Sequence, residues 1–192
     1  GIWLFTNDKK GGFEARNVQR FSPLAGSTSF QLVDLNKDGQ LDLVYTSGDN
    51  GDYSKILKPY HGVYTFINQG NFRFKPQWFY PVNGSTRVVA ADFDQDGDTD
   101  LATIAFFADF KHTPDESFLY FEQDTPGHFV PHAVPVQGYG RWICMDVQDW
   151  DGDGDLDLVL GNYARGFNNQ EDYKPNWNMQ LPFIVLQNKI RP

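Results

Sequence analysis

Short apolar runs separated by polar turns recur along the whole chain, and almost none follows the spacing of an amphipathic helix. Segments such as RVVAADF and DLVLGNY are apolar almost throughout, as strands covered on both faces would be. The runs predict strands at about 29–34, 41–47, 62–68 and 72–80, then 87–92, 100–107, 117–123 and 128–136, and finally 142–148, 156–161 and 182–188. Ahead of these, Trp3–Asn7 and Phe13–Phe21 read as two more strands. The pattern predicts an all-β chain.

Two elements punctuate the strands at a fixed period. The first is acidic: DLNKDGQLDLV from Asp34, DFDQDGDTDLA from Asp92 and DWDGDGDLDLV from Asp149 start 58 and 57 residues apart. The second is an apolar pair, an amide, a glycine-containing turn and an aromatic. It occurs as LFTNDKKGGFE from Leu4, TFINQGNFRF from Thr65 and YFEQDTPGHFV from Tyr120, and it starts again as IVLQN at Ile184. The second element reads as strand, tight turn, strand. Four antiparallel strands in each repeat of about 55–65 residues is the arithmetic of a β-propeller blade.

Within each acidic copy the oxygen-bearing side chains fall at positions 1, 3, 5 and 9, with glycine at 6. These are Asp34, Asn36, Asp38 and Asp42; Asp92, Asp94, Asp96 and Asp100; and Asp149, Asp151, Asp153 and Asp157. Alternate spacing lets a curled loop aim successive carboxylates at one centre, and Gly39, Gly97 and Gly154 permit the turn. Position 7, which is Gln40, Asp98 and Asp155, would add a backbone carbonyl. Hard anionic oxygens in a flexible loop suit Ca²⁺ better than Mg²⁺, and the absence of Cys and His from these loops disfavours zinc. Three Ca²⁺ sites are therefore expected. An EF-hand is excluded, because its Glu at position 12 is replaced by Tyr45, Thr103 and Leu160 and apolar strand-like runs follow.

Charge agrees with a metal-binding reading. The three nine-residue windows hold three, five and five of the chain's 25 acidic residues, and the net charge is −9. Clustered carboxylates repel one another without a cation, and an acidic chain lacks the basic face that nucleic acid requires. With 40% hydrophobic and 16% aromatic residues the chain can bury a core, and no apolar run is long enough for a membrane helix. The lone Cys144 allows no internal disulfide, and the sequon Asn83-Gly84-Ser85 is no more than chance supplies. Loops of this kind fill where calcium is near millimolar, so an extracellular, cell-surface or periplasmic setting is expected.

The segments LVDLNKDGQLDLV, AADFDQDGDTDLA and QDWDGDGDLDLVLG resemble the FG-GAP (VCBS-type) repeats of integrin α-subunit propellers and their bacterial relatives. The resemblance implies four-stranded antiparallel blades with a Ca²⁺ loop between strands 1 and 2, on one face of a propeller. It divides the chain into residues 1–22 (strands 3 and 4 of a preceding blade, or a closing strand), blades at 28–82 and 86–137, and an incomplete last blade at 141–192. Such propellers usually close with about seven blades. Barely three are expected here as a partial ring, the C-terminal part of a larger propeller or one finished by another polypeptide.

The loops between strands 2 and 3 are long: SGDNGDYSKILKPYHG, FADFKHTPDES and NYARGFNNQEDYKPNWNMQ. Their Tyr, Trp, Asn, Lys and Asp content suits carbohydrate stacking or a protein interface. Arg87 and Arg141 open strand 1 of successive blades, each with an Asp five residues on, although Arg141 lies three residues further from its acidic loop. Arg87, Arg141, Asp146, Tyr163 and Trp177 are the candidates for a ligand face. His61, His112, His128 and His132 are scattered, and no nucleophile elbow, P-loop or dinucleotide fingerprint is present. The sequence thus predicts a calcium-stabilised binding or interaction module with no catalytic constellation. The alternatives are a polysaccharide lyase or hydrolase on the same scaffold, or a purely structural subunit.

Overall fold

The computed structural model describes residues 1–51, 56–165 and 173–190. Among these, thirteen strands and two single 3₁₀ turns are present. Strands β1 (Ile2–Asn7) and β2 (Phe13–Gln19) form a two-stranded antiparallel sheet. Strands β3 (Ser27–Val33), β4 (Asp42–Ser47), β5 (Gly62–Asn68) and β6 (Phe74–Pro81) form a four-stranded sheet in chain order. The arrangement repeats in β7 (Ser85–Ala91), β8 (Asp100–Ala105), β9 (Phe118–Thr125) and β10 (His128–Ala133). A third sheet holds β11 (Trp142–Gln148), β12 (Asp157–Asn162) and β13 (Phe183–Leu186). Every pairing is antiparallel.

The two-residue period of a strand explains why apolar runs are unbroken. On β8, Leu101 faces the cluster shared with the β3–β6 sheet, while its neighbour Ala102 faces the cluster shared with β11–β13. On β4, Val44 faces the first of these clusters and Leu43 joins Tyr45 and Phe66 against Ile2 and Phe21. All six residues of β4 and all six of β8 are buried. Aromatic side chains lock the outer strands together: Trp78 meets Phe121 at 5.4 Å and Phe129 at 4.9 Å between ring centres.

The first strands of the sheets are tied directly to one another. Gln31 on β3 donates through Nε2 to Ala90 O at 3.1 Å and accepts from Ala90 N at 2.9 Å. Thr28 Oγ1 donates to Ser85 O at 3.0 Å, and Arg87 Nε on β7 donates to Met145 O on β11 at 2.7 Å. These contacts hold the three acidic loops, which follow β3, β7 and β11, at the same end of their sheets. No helix among the described residues is long and apolar enough to cross a membrane.

Candidate cation loops and the opposite face

Each acidic loop links the first strand of its sheet to the second, and each closes by hydrogen bonds to its own amides. The position-1 carboxylates reach across: Asp34 Oδ2 accepts from Gly39 N at 2.8 Å, Asp92 Oδ2 from Gly97 N at 3.1 Å, and Asp149 Oδ2 from Gly154 N at 3.1 Å. Position 5 accepts from position 7: Asp38 from Gln40, Asp96 from Asp98 and Asp153 from Asp155, at 2.8, 2.9 and 3.0 Å. The glycines sit at φ of 83°, 94° and 92°, where an L side chain is strained. Position 4 is left-handed as well, at Lys37 (60°), Gln95 (62°) and Gly152 (80°).

Carboxylates converge in two of the loops. Asp92, Asp94 and Asp100 each offer an oxygen, and these lie within 4.8 Å of one another; Asp149, Asp151 and Asp153 do the same. Asp96 and Asp98 lie outside the second loop's trio, and Asp155 and Asp157 outside the third's. The first loop has Asn36 at position 3, whose Nδ2 donates to Asp38 Oδ2 at 3.2 Å, and it forms no such carboxylate trio among the described residues. Asp92 Oδ1 and Asp98 Oδ1 are buried with no hydrogen-bond partner. A buried anionic oxygen without a donor is costly unless a cation meets it.

The electrostatics point the same way. Burial pushes the carboxyls of Asp94, Asp98 and Asp100 up from their ordinary value of 3.8, and neighbouring carboxylates push further. Burial likewise raises Asp42, against opposing bonds from Asn68 and Leu35. At Asp153 the bond from Asp155 lowers the value, but burial and the charges of Asp151 and Asp155 together outweigh it. These oxygen-only loops can hold a hard divalent cation of flexible coordination number.

Position 9 does more than the sequence suggested. Asp42, Asp100 and Asp157 have no exposed surface. Their Oδ2 atoms accept from the position-2 amides of Leu35, Phe93 and Trp150 at 3.0, 3.1 and 2.8 Å. Their Oδ1 atoms accept from Asn68 N, Gln123 N and Asn188 N at 2.8, 2.9 and 2.7 Å. Asn68 is the last residue of β5, Gln123 lies near the end of β9, and Asn188 lies just beyond β13. Position 9 therefore ties each loop to the third strand of its sheet. The signal for it in the sequence was the amide residue that recurs ahead of each turn.

At the other end of the sheets, β8 delivers the chain into residues 106–117. Arg141 is buried there, its guanidinium 3.7 Å from the centre of the Phe106 ring and its Nε donating to Phe106 O at 2.7 Å. Burial lowers its pKa to about 10. Asp146, the Asp five residues on from Arg141, is exposed and lies further along β11, where its Oδ1 accepts from Val147 N; the two are not brought together. Asp146 instead lines a groove of about 670 Å³ with Arg87, Thr28, Ser29 and Cys144. Trp177 is buried too, donating through Nε1 to Gln137 O at 3.2 Å and set edge-on to Phe110 at 4.8 Å. Tyr163 is exposed and 6.3 Å from Phe106. Residues 52–55 and 166–172 of the long loops lie outside the described residues.

Three histidines meet carboxylates among the described residues. His112 Nδ1 is 2.9 Å from Asp109 Oδ2, His128 Nδ1 contacts Asp124, and His132 Nε2 is 3.1 Å from Glu122. His61 is buried. Asp109 also accepts from the His112 backbone N–H at 3.2 Å, so this pair closes a local turn.

The model of the FG-GAP-like repeat matches residues 1–45 and 50–103. Cartilage acidic protein 1 of Mus musculus is 25% identical over 194 residues, covering 94% of this chain and 29% of that protein. The protein of the same name from Xenopus tropicalis is 27% identical over 166 residues, covering 79% and 24%. The chain thus spans less than a third of the length of these relatives. Among solved structures, one of an Agrocybe aegerita lectin, described as specifically recognising non-reducing terminal N-acetylglucosamine, is similar with a TM-score of 0.48 and 16% identity. It is matched over 98% of this chain and 46% of that one.

Proposed function

This chain belongs to the FG-GAP-like repeat family, and from that premise we propose that it is a calcium-stabilised segment of an extracellular β-propeller that serves as a binding or interaction module. The observation that carries the reading is the buried, unpartnered Oδ1 of Asp92 beside the converging carboxylates of Asp94 and Asp100. Calcium at the loops would supply positive charge to oxygens that otherwise repel one another. Asp34, Asn36, Asp38 and Asp42 would hold the first ion, the second loop's Asp92, Asp94, Asp96 and Asp100 the second, and Asp149, Asp151, Asp153 and Asp157 the third. Calorimetric titration of EDTA-treated protein should find three sites, and no calcium uptake would end the proposal.

The ligand face lies at the opposite ends of the sheets, with a carbohydrate or a protein as the ligand class. One exposed ring there is Tyr163, beside Phe106, which packs on the buried Arg141. Tyr163→Ala should abolish retention on a glycan or protein array without lowering the melting temperature, and an unchanged array profile would move the ligand elsewhere. The rival enzymatic reading draws on His112, which Asp109 holds by Nδ1. Because that contact closes a tight turn and the imidazole stands in solvent, no turnover is expected in a polysaccharide screen. Turnover that disappears in His112→Ala would reverse this assignment.

The segment is proposed to work inside a larger assembly. Trp3, Phe5 and Phe13 are 56%, 61% and 66% exposed on one face of the β1–β2 hairpin. The outer edge of β13 pairs with no strand among the described residues. Beside it lies a cavity of about 320 Å³ lined by Phe93, Phe118, Tyr120, Leu158 and Leu186. Apolar faces and free edges of this kind drive association. The remainder of the propeller, or another polypeptide, would cover them. Light scattering on the isolated chain should therefore show self-association, whereas a monodisperse 22.0 kDa monomer would contradict the assembly role.

A further inference from the structure

An amide residue near the end of the third strand makes matching donor contacts to the acidic loop in each of the three sheets that carry one. Asn68 donates through its backbone N–H to Asp42 and through Nδ2 to Leu41 O at 3.0 Å, while its Oδ1 accepts from Gly70 N at 3.0 Å. Gln123 donates to Asp100 and, through Nε2, to Thr99 O at 3.2 Å, while its Oε1 accepts from Gly127 N at 2.8 Å. Asn188 donates to Asp157 and, through Nδ2, to Leu156 O at 3.4 Å, while its Oδ1 accepts from Lys189 N at 2.8 Å. In each case one residue holds positions 8 and 9 of the acidic loop with its donors; the acceptor of Asn68 and Gln123 holds the turn after the third strand, and that of Asn188 takes the next backbone N–H.

We propose that Asn68, Gln123 and Asn188 are positioning residues that couple the third strand of each sheet to its cation loop and set the loop's calcium affinity. The inference rests on the calcium reading above. None of the three need touch the ion. Each fixes the position-9 carboxylate and the carbonyl beside it, so the loop is held in one conformation before a cation arrives. Groups that orient ligands in this way commonly change metal affinity by about 10–100-fold when removed.

The third copy reaches further than the others. Asn188 Nδ2 also donates to Phe93 O at 2.7 Å, which is position 2 of the second loop. A second bond crosses the same gap, from Gln95 Nε2 to Gly154 O at 3.0 Å. No hydrogen bond of this kind joins the first loop to the second among the described residues. The coupling is therefore asymmetric: Asn188 serves the second and third loops, whereas Asn68 serves the first alone.

The test is a calcium titration followed by the backbone amide signals of Gly39, Gly97 and Gly154, each of which donates to the position-1 carboxylate of its own loop. Asn68→Leu should weaken the Gly39 site by about tenfold and leave the other two unchanged. Asn188→Leu should weaken the Gly154 and Gly97 sites together. Asn68→Gln, which restores both halves of the amide, should recover most of the loss. A purely structural residue would lower the melting temperature equally with and without calcium and leave all three affinities alone, and that outcome would overturn the proposal. If the unmodified chain takes up no calcium, the calcium reading fails by itself. The coupling is then judged by amide exchange, where protection of Leu35 N–H undiminished in Asn68→Leu would refute it.

Discussion

Removal of calcium with EDTA is expected to lower the melting temperature of this chain by about 10 °C or more at neutral pH. A site at a calcium concentration a hundredfold above its dissociation constant contributes about 2.7 kcal/mol, and for a chain of this size each kcal/mol moves the midpoint by about 2–4 °C. The effect should depend on pH in a defined direction. Asp42, Asp94, Asp98 and Asp100 have carboxyl pKa values raised above 3.8 in the metal-free fold. In the metal-free chain their stabilising contribution is fully present below 3.8 and is lost as the pH rises through the raised values. Calcium reverses the balance by favouring the ionised form. The calcium-induced rise should thus be largest near pH 7 and shrink as the pH falls toward 4. Calorimetry across that range decides it, and a midpoint indifferent to EDTA at pH 7 would remove calcium from the account.

Strand positions were readable because each apolar run ends at a polar loop, and β5 and β11 fall at the predicted residues. Their limits were less readable where the deciding feature is not apolarity. β7 begins at Ser85 because its hydroxyl meets Thr103 Oγ1 at 2.9 Å inside the sheet, a pairing that a search for apolar residues passes over. β10 stops at Ala133, short of the predicted limit at 136. In the loops, glycine announced the left-handed turn at position 6. The same conformation at Lys37 and Gln95 carried no such mark, because the loop's own hydrogen bonds impose it.

The ligand-face candidates show the limit of spacing as a guide. Residues five apart on a strand point to opposite faces, so the recurrence of Asp after Arg had no geometric meaning for Arg141 and Asp146. Arg141 went under Phe106, and Asp146 stands in the groove with Arg87. Trp177 looked suited to stacking on a ligand but packs against Phe110. A loop of mixed aromatic and polar residues does not disclose which rings its own core will use. Tyr163, by contrast, remains at the surface.

Asp100→Ala is expected to destabilise even the metal-free chain, by about 2–4 kcal/mol, and to lower its melting temperature by about 5–15 °C. The carboxylate accepts from Phe93 N, Gln123 N and Tyr120 Oη at 3.1, 2.9 and 2.9 Å, and it has no exposed surface. Alanine leaves two buried backbone donors without an acceptor, each costing about 1–3 kcal/mol, and removes the partner of the half-buried Tyr120 hydroxyl. Relief of the burial that raises the Asp100 pKa offsets part of this, which places the net effect below the sum. Asp96→Ala provides the contrast. Asp96 is exposed, and its charge adds to the repulsion felt by Asp94 and Asp98. Its loss should leave the metal-free midpoint near that of the unmodified chain and reduce only the rise produced by calcium. Denaturant titration of both variants in EDTA and in calcium separates the two roles. Equal effects of Asp100→Ala and Asp96→Ala in EDTA would show that position 9 is no more than another acidic residue of the loop.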